Sequence, residues 1–115
     1  MDYHEKLKIK MDKYAHEVYR ATKCFPREEL YGITSQLRRS SLSVVLNYIE
    51  GYARRRGKDC KVYLNFMEIS YGSLKESKYL LHFVLIENMI DKNQYIDLIK
   101  KADEIGAMLY KTIKD

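Results

Sequence analysis

Six apolar residues near the start of the chain, Leu7, Met11, Tyr14, Val18, Ala21 and Phe25, follow one another at alternating intervals of four and three. An α-helix gathers that spacing into a single stripe, and the alternation is the seam by which helices pack side by side in bundles. The interval returns near the other end in Tyr95, Leu98, Ala102, Ile105, Leu109 and Thr112. The first pattern predicts a helix from about Tyr3 to Cys24, ended by Pro26, because proline pushes the preceding residue out of helical geometry. A second helix is expected from about Gly32 to Arg55. Gly57 then interrupts directly after Arg54, Arg55 and Arg56, as at a helix end with cations in its last turn. A third helix covers about Asp59 to Glu87, and a polar break at 88–93, with a cap at Asp91, leads into the fourth. Four helices with short connections imply antiparallel neighbours. The expected fold is therefore all-α, an antiparallel up-down four-helix bundle forming one domain over residues 1–115.

The two middle helices carry more apolar surface than one seam can use. Between Leu42 and Ile49 six of eight residues are apolar, and Tyr79 to Ile86 is interrupted only by His82. A helix apolar nearly all round needs cover on more than one side, which predicts a homo-oligomer with the surplus face at a subunit interface.

Several classes of chemistry find no support. His4, His16 and His82 stand singly, with no H-E-x-x-H and no helical Glu-x-x-His pair, so no metal site is expected. His82, on an apolar stretch, reads as a satisfied core or interface histidine. Cys24 and Cys60 form neither a C-x-x-C pair nor a finger spacing, which fits a reduced cytoplasm. No glycine-rich phosphate loop is present, and no base is paired with Ser35, Ser40, Ser41 or Ser43; small hydroxyls there are expected to let helices approach closely. Glu50, Glu68 and Glu76 lie beside the apolar faces and are expected to pair with Arg38 or Arg39 across the bundle. The N-terminal residues alternate charge without an apolar core, and no stretch is apolar enough to cross a membrane. No enzyme activity, catalytic residue or cofactor is predicted.

A formal net charge of +5 favours acidic partners. Arg54, Arg55, Arg56, Lys58 and Lys61 place five cations in eight residues with only Asp59 opposing them, at a helix end where side chains can fan out toward phosphates. Tyr52 and Tyr63 flank them, and rings beside cations suit stacking on unpaired bases. The alternative is a solvated loop whose cations merely complement the helix dipole.

The run FPREELYGITSQLRRSSLSVVLNYIEGYARR, followed by YLNFMEISYGSLKESKYLL, resembles the ribosomal intervening-sequence protein family over nearly the whole chain. The resemblance is carried by Phe25-Pro26, by Tyr31-Gly32 through Arg39, by Asn47-x-x-Glu50-Gly51-Tyr52 with the arginines after it, and by Gly72-Ser73-Leu74 with Glu76. The closing run Ala102 to Leu109 is similar to the tail shared with the accessory variability determinant of diversity-generating retroelements, a related basic protein that partners a reverse transcriptase. The resemblance implies a homopentameric ring with basic surface able to hold RNA or DNA, and no enzyme activity. Carried over by position, Asn47, Glu50 and Gly51 are structural, Gly51 permitting close packing. Many relatives have a proline where this chain has Val44-Val45, so the kink it would bring to the second helix is expected to be mild or absent. Two functions follow as expectations: a nucleic-acid-binding accessory protein acting as an oligomer, alongside a reverse transcriptase as the resemblance suggests, or a protein-interaction scaffold with no nucleic-acid role.

Overall fold

The computed structural model describes residues 1–55 and 60–115; the expectations that fall on Arg56, Gly57, Lys58 and Asp59 lie outside the described residues. Four long helices carry the fold: α1 (Tyr3–Thr22), α2 (Ser35–Ala53), α3 (Lys61–Ile86) and α4 (Lys92–Lys114). Each packs on its two neighbours in chain order, α4 closing back onto α1, and the diagonal pairs meet little outside the core. No strand occurs among the described residues.

Local chemistry sets the helix ends. Asp2 and Asp91 cap α1 and α4, each accepting from the backbone N–H three residues on, the position an N-cap carboxylate is built to satisfy. After α3, Asn88 takes the left-handed conformation (φ 61°), while its own N–H and that of Met89 donate to the carbonyls of Leu85 and Val84. That pair of bonds satisfies carbonyls the helix leaves open, and Asn tolerates the required φ better than most residues. Helix α1 stops at Thr22, two residues before the expected Cys24, because Phe25 already turns back to bond the Thr22 carbonyl. Helix α2 starts at Ser35 and not at Gly32: a wide turn over Leu30–Thr34 comes first, with Gly32 off helical geometry. From Ser35 to Ala53 the helix is uninterrupted, without the kink a proline at Val44-Val45 would bring.

Cross-helix bonds fix an antiparallel register. Between α1 and α4, Lys10 pairs with Glu104 at 3.2 Å and Lys101 with Glu17 at 2.6 Å. Between α3 and α4, Lys78 pairs with Asp103 at 2.6 Å. The α2/α3 seam, the most extensive of the four, is built from small residues. Ser70 donates to the Val44 carbonyl at 2.6 Å, Ser43 and Ser73 share a bond of 2.7 Å, and Arg39 reaches Glu76. At Gly51 the helices approach so closely that a Cβ would stand 2.6 Å from the Phe66 Cβ and 2.7 Å from the Met67 Cε.

All four helices feed one apolar core, with Leu7, Met11, Leu37, Met67, Leu81, Leu98 and Ile105 among its closed-off members. Tyr14 crosses it from α1 to α3, its hydroxyl 2.8 Å from the Ser77 Oγ. Since Ser77 spends its own hydrogen on the Leu74 carbonyl, Tyr14 is the donor. Burial is the chief cause that pushes this phenol up to about 12.

Two stability predictions follow from this packing. Gly51→Ala should cost about 1–3 kcal/mol in urea unfolding, the range for overpacking, because the clash is with a Cβ fixed to the opposite backbone. Gly72→Ala, where an added Cβ meets nothing within 4 Å, should instead stabilise by about 0.5–1 kcal/mol; equal effects at the two sites would contradict the packing described. For Tyr14, a folded pKa above the unfolded value means stability fully present below about pH 10 and lost as pH rises toward about 12. Tyr14→Phe should therefore remove part of the alkaline decline in unfolding midpoint, on the order of 2 kcal/mol across that window. Parallel pH profiles for the two proteins would show that Tyr14 is not the cause.

Candidate nucleic-acid interface

The up-down topology brings four chain segments to one end of the bundle: the starts of α1 and α3 and the ends of α2 and α4. There a groove of about 810 Å³ opens between Tyr3 and His4 of α1, Arg55 beyond α2, Tyr63 and Leu64 of α3, and the Lys111 to Asp115 segment of α4. Its walls are rings and its rim is cationic. His4 Nδ1 shares a 2.7 Å hydrogen bond with the Tyr48 hydroxyl, and its ring lies 4.7 Å from that of Tyr52. The Tyr3 hydroxyl donates to the Met108 carbonyl at 2.8 Å, tying the start of α1 to the end of α4.

The Arg55 guanidinium sits 5.5 Å from the centre of the Tyr63 ring and 5.9 Å from that of Tyr52. Lys111 lies 5.9 Å from the Tyr3 ring and Lys114 5.5 Å from that of Tyr110. Such contacts hold a cation in place at about 0.5–1 kcal/mol each at exposed sites without neutralising it. Burial pushes the Tyr63 phenol up while the Arg55 charge pulls it down. Tyr48 is pushed up as well, by burial first and by the surrounding phenols second. These rings therefore stay protonated, and the groove gains no negative charge from them at neutral pH. Among the described residues on its lining, Asp115 carries a carboxylate.

The residues expected from sequence are distributed differently. Of the five-cation cluster, Arg55 lines the groove, while Lys61, at the start of α3, is exposed but not on the lining; Arg56 and Lys58 lie outside the described residues. Arg54 turns away onto the α2/α3 seam, where its Nη2 and Nε donate to Glu50 at 2.6 and 2.9 Å and its guanidinium lies 5.7 Å from the Phe66 ring centre. Glu50 thus pairs with Arg54, one turn along its own helix, and not with Arg38 or Arg39. Arg39 does meet Glu76. Arg38, a step of about 100° further round the helix, faces α1, donating to Thr22 Oγ1 at 2.7 Å over the Tyr19 ring. Glu68 is exposed. Asn47 donates to the Ser43 carbonyl and hydroxyl at 2.9 and 2.8 Å, completing the polar line of the seam.

His82 is exposed near the Tyr79 ring, on the side of α3 away from Leu81 and Val84, which overturns its reading as a core histidine. An added Cβ at Gly72 meets nothing within 4 Å inside the chain. The surplus apolar residues are where the sequence implied: Leu42, Leu46 and Ile49 form an outward stripe on α2, Leu46 being 59% exposed, and Ile69, Phe83 and Ile86 are exposed on α3.

Among the described residues, no three His, Cys, Asp or Glu side chains gather as a metal site requires, and no helix is long and apolar enough to cross a membrane.

The family model of the 23S rRNA-intervening sequence protein matches residues 5–111. The chain belongs to that family. Its fold is also that of a crystal structure from Bacteroides thetaiotaomicron, described as a protein with unknown function from the S23 ribosomal protein family. The two align with a TM-score of 0.84 at 22% identity, over 95% of this chain and 99% of the other. At that identity the likeness is one of fold. No curated protein matches the chain. Within this family member, the groove adds Tyr3, His4, Lys111 and Lys114 to the residues sequence had singled out. The signal for them was indirect: in an up-down bundle the first and last turns of the chain must lie beside the end of α2.

Proposed function

We propose that this family member is a non-enzymatic protein that binds nucleic acid as an oligomer, through the groove at the end of its bundle. One observation carries the reading: Arg55, held between Tyr52 and Tyr63, shares a groove with Lys111 and Lys114, which themselves stand over tyrosine rings. Cations held on rings and not on carboxylates remain available to phosphate. Arg54 differs, since Glu50 already occupies it.

Self-association belongs to the same proposal. The outward stripe of Leu42, Leu46 and Ile49 gives α2 a second apolar face, and copies joined there would multiply a groove whose single-copy affinity is modest. A homopentamer is the form the resemblance implies. A reverse transcriptase as partner, like action in the cytoplasm, rests on the resemblance and on composition alone. The same stripe supports the second reading, a scaffold that binds other proteins and no nucleic acid.

Binding of labelled oligonucleotides across a salt series tests the proposal. Affinity should fall linearly on logarithmic axes, and Arg55→Ala combined with Lys111→Ala and Lys114→Ala should lower the slope by about one per cation removed. Lys23→Ala, at the opposite end, should leave it unchanged, and Arg54→Ala should cost less than Arg55→Ala. No binding by the wild type at low salt would sink the reading in favour of the scaffold. For the oligomer, sedimentation velocity should show Leu46→Glu with Ile49→Glu shifting the protein to monomer; a wild type already monomeric at every concentration would remove self-association from the proposal.

A further inference from the structure

We infer that the groove is the first part of a longer track that takes an unpaired strand and not a duplex, running from the bundle end into a cleft between α3 and α4. The inference rests on the nucleic-acid reading above and names its ligand more narrowly. The track repeats one unit, a tyrosine ring with a cation over it. Arg55 with Tyr63 and Lys111 with Tyr3 line the groove. Lys114, also on the groove, stands over Tyr110, which lines the cleft. The Tyr110 ring is 6.2 Å from that of Tyr71, and Lys75 stands 5.2 Å from the Tyr71 ring centre. Lys114 and Tyr110 therefore join the two depressions into one path.

Small residues open the cleft. Gly106 and Ala107 on α4 leave about 230 Å³ beside Tyr71 and Tyr110, below the roughly 300–1,000 Å³ of pockets for drug-sized ligands. That volume suits one planar ring inserted from outside. Asp103 also lines the cleft, but Lys78 holds it at 2.6 Å, which removes most of its repulsion toward a phosphate. Tyr110 is half exposed, so its ring can be reached from solvent beside Lys114.

Stiffness decides between single strand and duplex. The path turns from the end of the bundle onto its side within a body of 46 × 25 × 20 Å. Duplex DNA keeps its direction over about 50 nm, roughly tenfold the longest dimension of the protein, and shows no base faces to stack. An unpaired strand bends at each nucleotide and can lay bases on rings while its phosphates meet the intervening cations.

The test uses labelled strands of about 20 nucleotides, longer than the roughly 4–16 held by single-stranded-binding modules: oligo-deoxythymidine, an abasic strand of equal length, and a duplex. At one low salt concentration the wild type should bind the thymidine strand more tightly than the other two. Tyr110→Leu and Tyr71→Leu should each weaken that binding about tenfold, leave the abasic strand unaffected, and Tyr110→Phe should bind as wild type. Circular dichroism checks folding, and should Tyr71→Leu fail to fold, the half-exposed Tyr110 carries the test. Equal binding of strand and duplex, wild-type affinity in Tyr110→Leu, or displacement of the strand by polyglutamate as readily as by competitor DNA would overturn the track. If the salt dependence on Arg55, Lys111 and Lys114 persists in the first two cases, the end groove survives and only the track falls; binding of no nucleic acid at all overturns both.

Discussion

The fold depends on how closely α2 and α3 can approach. Ser43, Ser70, Ser73 and Gly51 occupy positions that Leu or Ile would fill in an ordinary bundle, and at Gly51 not even a methyl group fits. Such packing succeeds only if each buried hydroxyl has a partner, because an unpaired one costs about 1–3 kcal/mol. Ser70 finds the Val44 carbonyl across the seam, Ser40 and Ser41 bond back to carbonyls of their own helix, and Ser43 and Ser73 satisfy one another. The seam therefore specifies register as well as distance, since a slip of one residue would leave several hydroxyls unpaired at once.

That choice has a second consequence. A seam made of small residues leaves part of the apolar content of α2 without a place inside, and Leu42, Leu46 and Ile49 emerge on its outer face. They are exposed because they lie on the side of α2 turned away from its neighbours. A close-packed side and an outward apolar stripe together explain why the helix reads as apolar nearly all round.

How much of this could be read beforehand depended on the distance over which each feature is determined. Helical periodicity is local, so the four helices, the cap at Asp91 and the surplus face of α2 were legible from intervals alone. The pairing of Glu50 with Arg54 is legible too, as an acid four residues ahead of a base at the end of one helix. Arg38 and Arg39 show the limit of that reasoning: adjacent in sequence, they point to different helices, and only the packing angle of α2 decides which meets Glu76. The groove was hidden further, because Arg55 and Lys111 are brought together by topology and no interval links them. His82 lies outside the core because its face of α3 is the outward one, which it shares with the exposed Tyr79 and Ile86.

The groove end gathers Arg55, Lys111 and Lys114 over tyrosine rings, whereas at the opposite end Lys23 and Arg38 share the ring of Tyr19. Along the helix flanks, Lys10, Arg39, Lys78 and Lys101 each meet a carboxylate, so their contribution to the outward field is largely cancelled at close range. At the end of the bundle the cations lie over phenol rings, which orient a charge without cancelling it. A moderate net charge can therefore produce a concentrated positive region if the pairing is uneven, and unevenness of pairing is set by where tyrosines replace carboxylates. Helix α2, with the apolar stripe, and α4, with the lysines of the groove, stand on opposite corners of the bundle. The outward stripe of α2 and the lysines of α4 therefore occupy different sides of the molecule, with Arg55, just beyond α2, as the groove residue nearest the stripe.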